Sequence, residues 1–92
     1  MGEARQEVTI VNRRGLHARA SAKFVGAVAG LPEGICVTVS KAPNSAAGGS
    51  ILGLMMLGAA KGDTIEVSVS GDDADAVLAE LVALVESGFG ED

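Results

Sequence analysis

His17 and Arg19 stand two residues apart in the stretch RRGLHARASAKFV, residues 13–25, and His17 is the chain's single histidine. Arg13, Arg14, Arg19 and Lys23 surround it, and no Asp or Glu occurs from residue 8 to residue 32, in a chain with twelve acids and a net charge of −5. A helical period begins at residue 18, so His17 falls where free backbone N–H groups and the positive end of a helix dipole point outward. That combination reads as an anion site built around a nucleophile. The cationic surroundings are expected to disfavour protonation and keep a ring nitrogen lone pair available. An imidazole nitrogen that takes up a phosphoryl group gains about two negative charges, which a helix N-terminus and an Arg fork can hold. Each such helix-end interaction is worth about 0.3 to 2 kcal/mol, enough to hold the group and too little to trap it.

Other chemistries lack parts. With one His, one Cys in a strand-like segment and no acid near His17 in sequence, a Ser-His-Asp or Cys-His arrangement has no evident members. HEXXH and CXXC spacings are absent, and no metal or cofactor is expected. GGSILG lacks the GK[ST] ending of a phosphate-binding loop, and its glycines read as an entry to a helix capped by Ser50. The residues point to a group carrier that is not catalytic alone. A small regulatory α/β ligand-binding module is the competing reading, although it would not need His17 and Arg19 at a helix start. A metal chaperone using His17, Cys36 and the Met55–Met56 pair is a distant third.

The positioning elements follow from periodicity. Alternation at period two marks strands over residues 7–12, 35–40 and 64–70, with a weaker one over 44–47 after a turn at 41–43. A helix is expected over 18–29, with Ala20, Phe24, Ala27 and Val28 on its inner face and Gly30 ending it. A short helix follows Ser50 and closes at Gly58. A third, capped by Asp72 or Asp73, carries Val77, Leu78, Leu81, Leu84 and Val85 and stops at Gly88. The order is βαββαβα, and one-sided strands imply an α+β fold: an antiparallel sheet covered by helices on one face. Ninety-two residues without a repeat or linker suit one domain, residues 1–92.

Composition bounds the rest. There is no Trp or Tyr, only Phe24 and Phe89, and the acidic balance argues against nucleic acid. A lone Cys36, read as a half-buried filler, and a charged N-terminus without a signal peptide fit a soluble cytoplasmic protein with no membrane role. Met55 and Met56 are each more often core than contact. Yet an almost wholly apolar short helix cannot bury every face, so some of Ile51, Leu52 and Met55 should be exposed.

GLHARASAKFV, followed some thirty residues later by SILGLMMLGAAKGDTIEVSVSG, resembles the HPr family, the histidine-containing phosphocarriers of the phosphoenolpyruvate-dependent phosphotransferase system. The resemblance spans about residues 6–88. It implies an open-faced β-sandwich with a four-stranded antiparallel sheet under three helices. It implies that His17 receives a phosphoryl group on Nδ1 from enzyme I and passes it to an EIIA-type protein, with Arg19 as the active-site arginine. It further implies Ser50 as the serine modified by HPr kinase/phosphorylase where that enzyme exists, and Ile51, Leu52 and Met55 as the partner-docking surface. Ala20 departs from the family, which commonly has Pro after the active-site Arg; Ala forms helix well but is less stiff there. His-Ala-Arg-Ala-Ser with Leu-Met-Met-Leu-Gly looks like the nitrogen-type versions, whose relay ends on regulatory proteins. A monomer suits a carrier that must face two partners in turn.

Overall fold

The computed structural model describes residues 2–91. In the strand Thr64–Gly71, Ile65, Val67 and Val69 are buried while Glu66, Ser68 and Ser70 are half-exposed, so period-two alternation produces one apolar and one polar face. This strand, β4, is central. β1 (Gly2–Thr9) pairs with it antiparallel along its whole length, Val8 opposite Ile65, and β2 (Cys36–Lys41) pairs on the other side, Val39 opposite Val67. β3 (Asn44–Ala47) forms a hairpin with β2, giving the order β1-β4-β2-β3.

Three helices cross the apolar face: α1 (Ala18–Ala29), α2 (Ile51–Met56) and α3 (Ala74–Glu86). Phe24 and Ala20 of α1, Leu54 of α2, and Val77, Leu81 and Val85 of α3 join Val39, Ile65, Val67 and Val69 in one buried cluster. Each large aliphatic side chain removed from water contributes about 1.5–3 kcal/mol. The expected element order and one-sided sheet are therefore present, including the weak strand at Asn44–Ala47.

Several boundaries and faces differ from expectation. β1 starts at Gly2 and ends at Thr9, because its pairing follows β4; only Val8 is buried along it, so its first half carries no apolar alternation. In α1 the buried positions are Ala20, Ser21 and Phe24, whereas Ala27 is exposed. Ser21 tolerates burial because its hydroxyl donates to the Leu16 carbonyl at 3.2 Å. Gly30 caps α1 in a right-handed conformation, its N–H bonded to Val28, so its freedom to be left-handed is not used. Asp73 occupies the N-cap of α3 with φ 57° and makes no side-chain capping bond; the helix is entered through its backbone carbonyl, which accepts from Val77 N–H at 3.0 Å. Cys36 is exposed rather than half-buried, on the uncovered sheet face near Thr38 and Ser68. No helix among the described residues is long and apolar enough to cross a membrane.

Candidate functional site

The loop between β1 and α1 aims His17. Asn12, 2% exposed, donates from Nδ2 to the Gly15 carbonyl at 2.8 Å and closes a turn with the Gly15 N–H bond to Asn12 O at 3.2 Å. Gly15 has φ 64°, and a Cβ there would collide with the Ala59 carbonyl oxygen and come within 2.9 Å of Ala60 Cα. Only glycine fits both constraints. This approach lets Leu16 N–H donate to Ala59 O at 3.0 Å, stitching the loop to the segment that follows α2.

His17 then caps α1 in extended conformation, φ −75°, ψ −179°. Its carbonyl accepts from Ser21 N–H at 2.9 Å, the first turn of the helix, and its Nδ1 accepts from Arg19 N–H at 3.3 Å. Imidazole here takes the place usually filled by Ser, Thr, Asp or Asn, so the residue that starts the helix is also the one whose nitrogen lies at its positive end.

Nε2 meets a carboxylate. Glu91 Oε2 lies 2.8 Å and Oε1 3.1 Å from it, and Asn12 Nδ2 donates to the same Oε1 at 3.1 Å. The surroundings of His17 are thus not free of acids, as the loop sequence suggested: one arrives from 74 positions further along the chain. The tail that delivers it is anchored by Phe89, 1% exposed, whose carbonyl accepts from Lys23 Nζ at 2.7 Å. Gly88 and Phe89 both take left-handed φ values, 68° and 58°, turning the chain back over α1. Desolvation pushes the Glu91 carboxyl up. The hydrogen bonds from Asn12 and His17, with the charges of His17 and Lys23, outweigh that push and hold it below the usual Glu value.

Arg13, Arg14, Arg19 and Lys23 line an open groove of about 530 Å³ together with Gly90 and Glu91. Among the described residues no carboxylate pairs with Arg13, Arg14 or Arg19. The four cations that flank His17 in sequence therefore line one groove, and Glu91, the carboxylate on His17 Nε2, lines it with them.

Ser50 caps α2 as expected, Oγ accepting from Gly53 N–H at 3.0 Å. Leu54 and Leu57 point into the core, while Ile51 (41% exposed), Leu52 (68%) and Met55 (41%) form an apolar surface; Met56, at 75%, extends it beyond what was expected. α2 packs on α1, and the Leu16–Ala59 bond ties the segment that follows α2 to the His17 loop. No three His, Cys, Asp or Glu side chains gather among the described residues, and Cys36 on the uncovered sheet face is remote in the fold from the α1 N-terminus.

Comparison with known proteins converges on one family. Residues 4–87 match the model described as "PTS HPr component phosphorylation site". The chain is 44% identical over 87 residues to a Pseudomonas aeruginosa protein named phosphocarrier protein HPr, covering 92% of this chain and 93% of that one. It is 38% identical over 91 residues to a Shewanella violacea protein named phosphocarrier protein NPr, covering 99% and 98%. The crystal structure of HPr-C-His from Thermoanaerobacter tengcongensis superposes with a TM-score of 0.86 at 36% identity, covering all of this chain and 99% of that one.

Proposed function

The chain belongs to the HPr family of phosphotransferase-system phosphocarriers, and from that premise we propose that His17 accepts a phosphoryl group on Nδ1 from enzyme I and passes it to an EIIA-type protein. The observation that carries this reading is the position of Nδ1, at the N-cap of α1 and facing the Arg19 N–H. In the forward step the Nδ1 lone pair forms a bond to phosphorus, the donor's bond to phosphorus breaks, and the donor leaves with that electron pair. The phosphoryl oxygens then lie where the Arg19 N–H and the positive end of α1 favour negative charge. The guanidinium of Arg19, which lines the same groove, adds a charge-assisted donor. Onward transfer reverses the bookkeeping: the N–P bond breaks and its electron pair returns to Nδ1. All the stabilising groups are hydrogen bonds and charges at a surface, which matches a carrier that must also release its cargo.

Docking falls to Ile51, Leu52 and Met55, an apolar patch on α2, the helix packed against α1. Ser50, the cap of that helix, serves as the regulatory phosphorylation site wherever an HPr kinase/phosphorylase is present. We take the protein to act as a cytoplasmic, single-domain monomer in either a sugar or a regulatory branch of the system.

Incubation with phosphoenolpyruvate and enzyme I should add one acid-labile phosphoryl group, located on His17, and His17→Ala should accept none. Normal labelling of that variant, or a label that survives acid, overturns the assignment.

A further inference from the structure

Nothing in the loop sequence announces Glu91, yet it is the only side chain hydrogen-bonded to His17 Nε2 among the described residues. A carboxylate only accepts hydrogen bonds, and the Glu91 carboxyl is held below its usual value, hence ionised near neutral pH. Nε2, 2.8 Å from Oε2, must then carry the proton. On the other side of the ring, Nδ1 receives the Arg19 N–H and must be bare. The two contacts impose the same choice on the neutral ring.

We propose that Glu91 is the positioning residue of the phosphoryl-accepting histidine: its carboxylate accepts from Nε2–H, fixes the tautomer whose lone pair is on Nδ1, and holds the ring plane toward the α1 N-terminus. The supports of Glu91 are those expected of a built contact. Asn12 Nδ2 holds Oε1 while also closing the turn that presents His17, so one buried amide sets both partners. Phe89 in the core and the Lys23 bond to its carbonyl fix the chain two residues earlier. When Nδ1 forms its bond to phosphorus, the proton stays on Nε2 and the ring acquires positive charge facing the carboxylate. A carboxylate that orients an imidazole and meets the charge it develops accelerates the step without exchanging a proton. The inference rests on the carrier reading for its kinetic consequence, and on the two ring contacts alone for the tautomer.

The test reads both. Imidazole 15N shifts of the unphosphorylated protein, taken where the ring is neutral, should show the Nε2–H tautomer dominating. Glu91→Ala should shift the ring toward a mixture with Nδ1–H and slow acceptance from phosphorylated enzyme I by about ten- to a hundredfold, the scale of one lost charge-assisted contact. Glu91→Gln keeps an acceptor oxygen and should restore the Nε2–H pattern, with a rate nearer to wild type than that of Glu91→Ala. An unchanged 15N pattern in Glu91→Ala, or Glu91→Gln behaving like Glu91→Ala, overturns the proposal. Because the tautomer is read without phosphotransfer, a wild-type chain that takes no phosphoryl group would refute the carrier reading and leave the role of Glu91 to be judged by the 15N pattern.

Discussion

Arg19 brings two separable groups to the site, a backbone N–H on His17 Nδ1 and a guanidinium in the groove. Arg19→Ala removes only the second. The side chain is exposed and adds nothing to the core, so the variant should melt close to wild type. Losing one charge-assisted contact to the phosphoryl group should cost about 1.5–3 kcal/mol, or roughly ten- to a hundredfold in transfer rate if it acts in the transition state. A stopped-flow transfer rate equal to wild type would remove the guanidinium from the account and leave the backbone N–H as the anion donor. Which residues were legible in the sequence follows from how local their signals are. His17, Arg19 and Ser50 announce themselves because a cap and its helix are neighbours in the chain. Glu91 had no such signal: its partners are 74 and 79 positions away at His17 and Asn12, and a short Gly-Phe-Gly-Glu tail reads as solvated. The one hint was Phe89, an aromatic beyond the last helix that had to be buried somewhere.

In the proposed reading, α2 and its cap Ser50 would combine docking and control within seven residues, 50–56. Its stability comes from Leu54 in the core and from the Ser50 cap, and Asp accepts the same Gly53 N–H as well as Ser does. Ser50→Asp should therefore keep a melting temperature within a few degrees of wild type. The added charge stands beside Ile51, Leu52 and Met55, and pressing it into an apolar partner surface costs several kcal/mol unless a cation answers it. Transfer from enzyme I should fall steeply in that variant while thermal melting barely moves. Unchanged transfer would reduce Ser50 to a cap. Elements with regular alternation or a clear apolar stripe were legible, as β4, β2 and α3 show. What was not legible came from pairing. β1 begins at Gly2 because eight β4 residues offer backbone partners, with Gly2 opposite Gly71, and backbone bonding leaves no trace in side-chain pattern. The left-handed Asp73 likewise follows from the path of the chain out of β4 into α3 rather than from residue type.

At the scale of the whole molecule, charge is segregated. Four of the seven Lys and Arg residues line one groove of a chain with net charge −5, which focuses anions there. Two acids play structural roles against this background, and both tie the chain's distant parts together. Glu91 closes the tail on Asn12 and His17, while Asp63 accepts from Ala60 N–H at 2.9 Å and lies 3.5 Å from Lys41 Nζ, joining the turn before β4 to the end of β2. The Asp63 carboxyl is held below its usual value first by the Ala60 backbone bond and then by Lys41, against a desolvation push upward. Glu91 is lowered as well, its hydrogen bonds prevailing over desolvation. A carboxyl that titrates lower when folded than when unfolded binds fewer protons in the native state, so stability rises with pH across that interval. The contribution is fully present above the ordinary values of 3.8 and 4.5 and is lost as pH falls through the lower folded ones. The melting temperature should thus hold steady from neutral pH down to about 5 and then drop. Asp63→Asn and Glu91→Gln should each start lower at neutral pH and lose less on acidification, because each deletes one of the titrating links. Melting curves taken between pH 7 and pH 3 decide the matter: if neither substitution flattens the acid limb, the acid sensitivity of the fold resides in other carboxylates and these two closures add nothing to it.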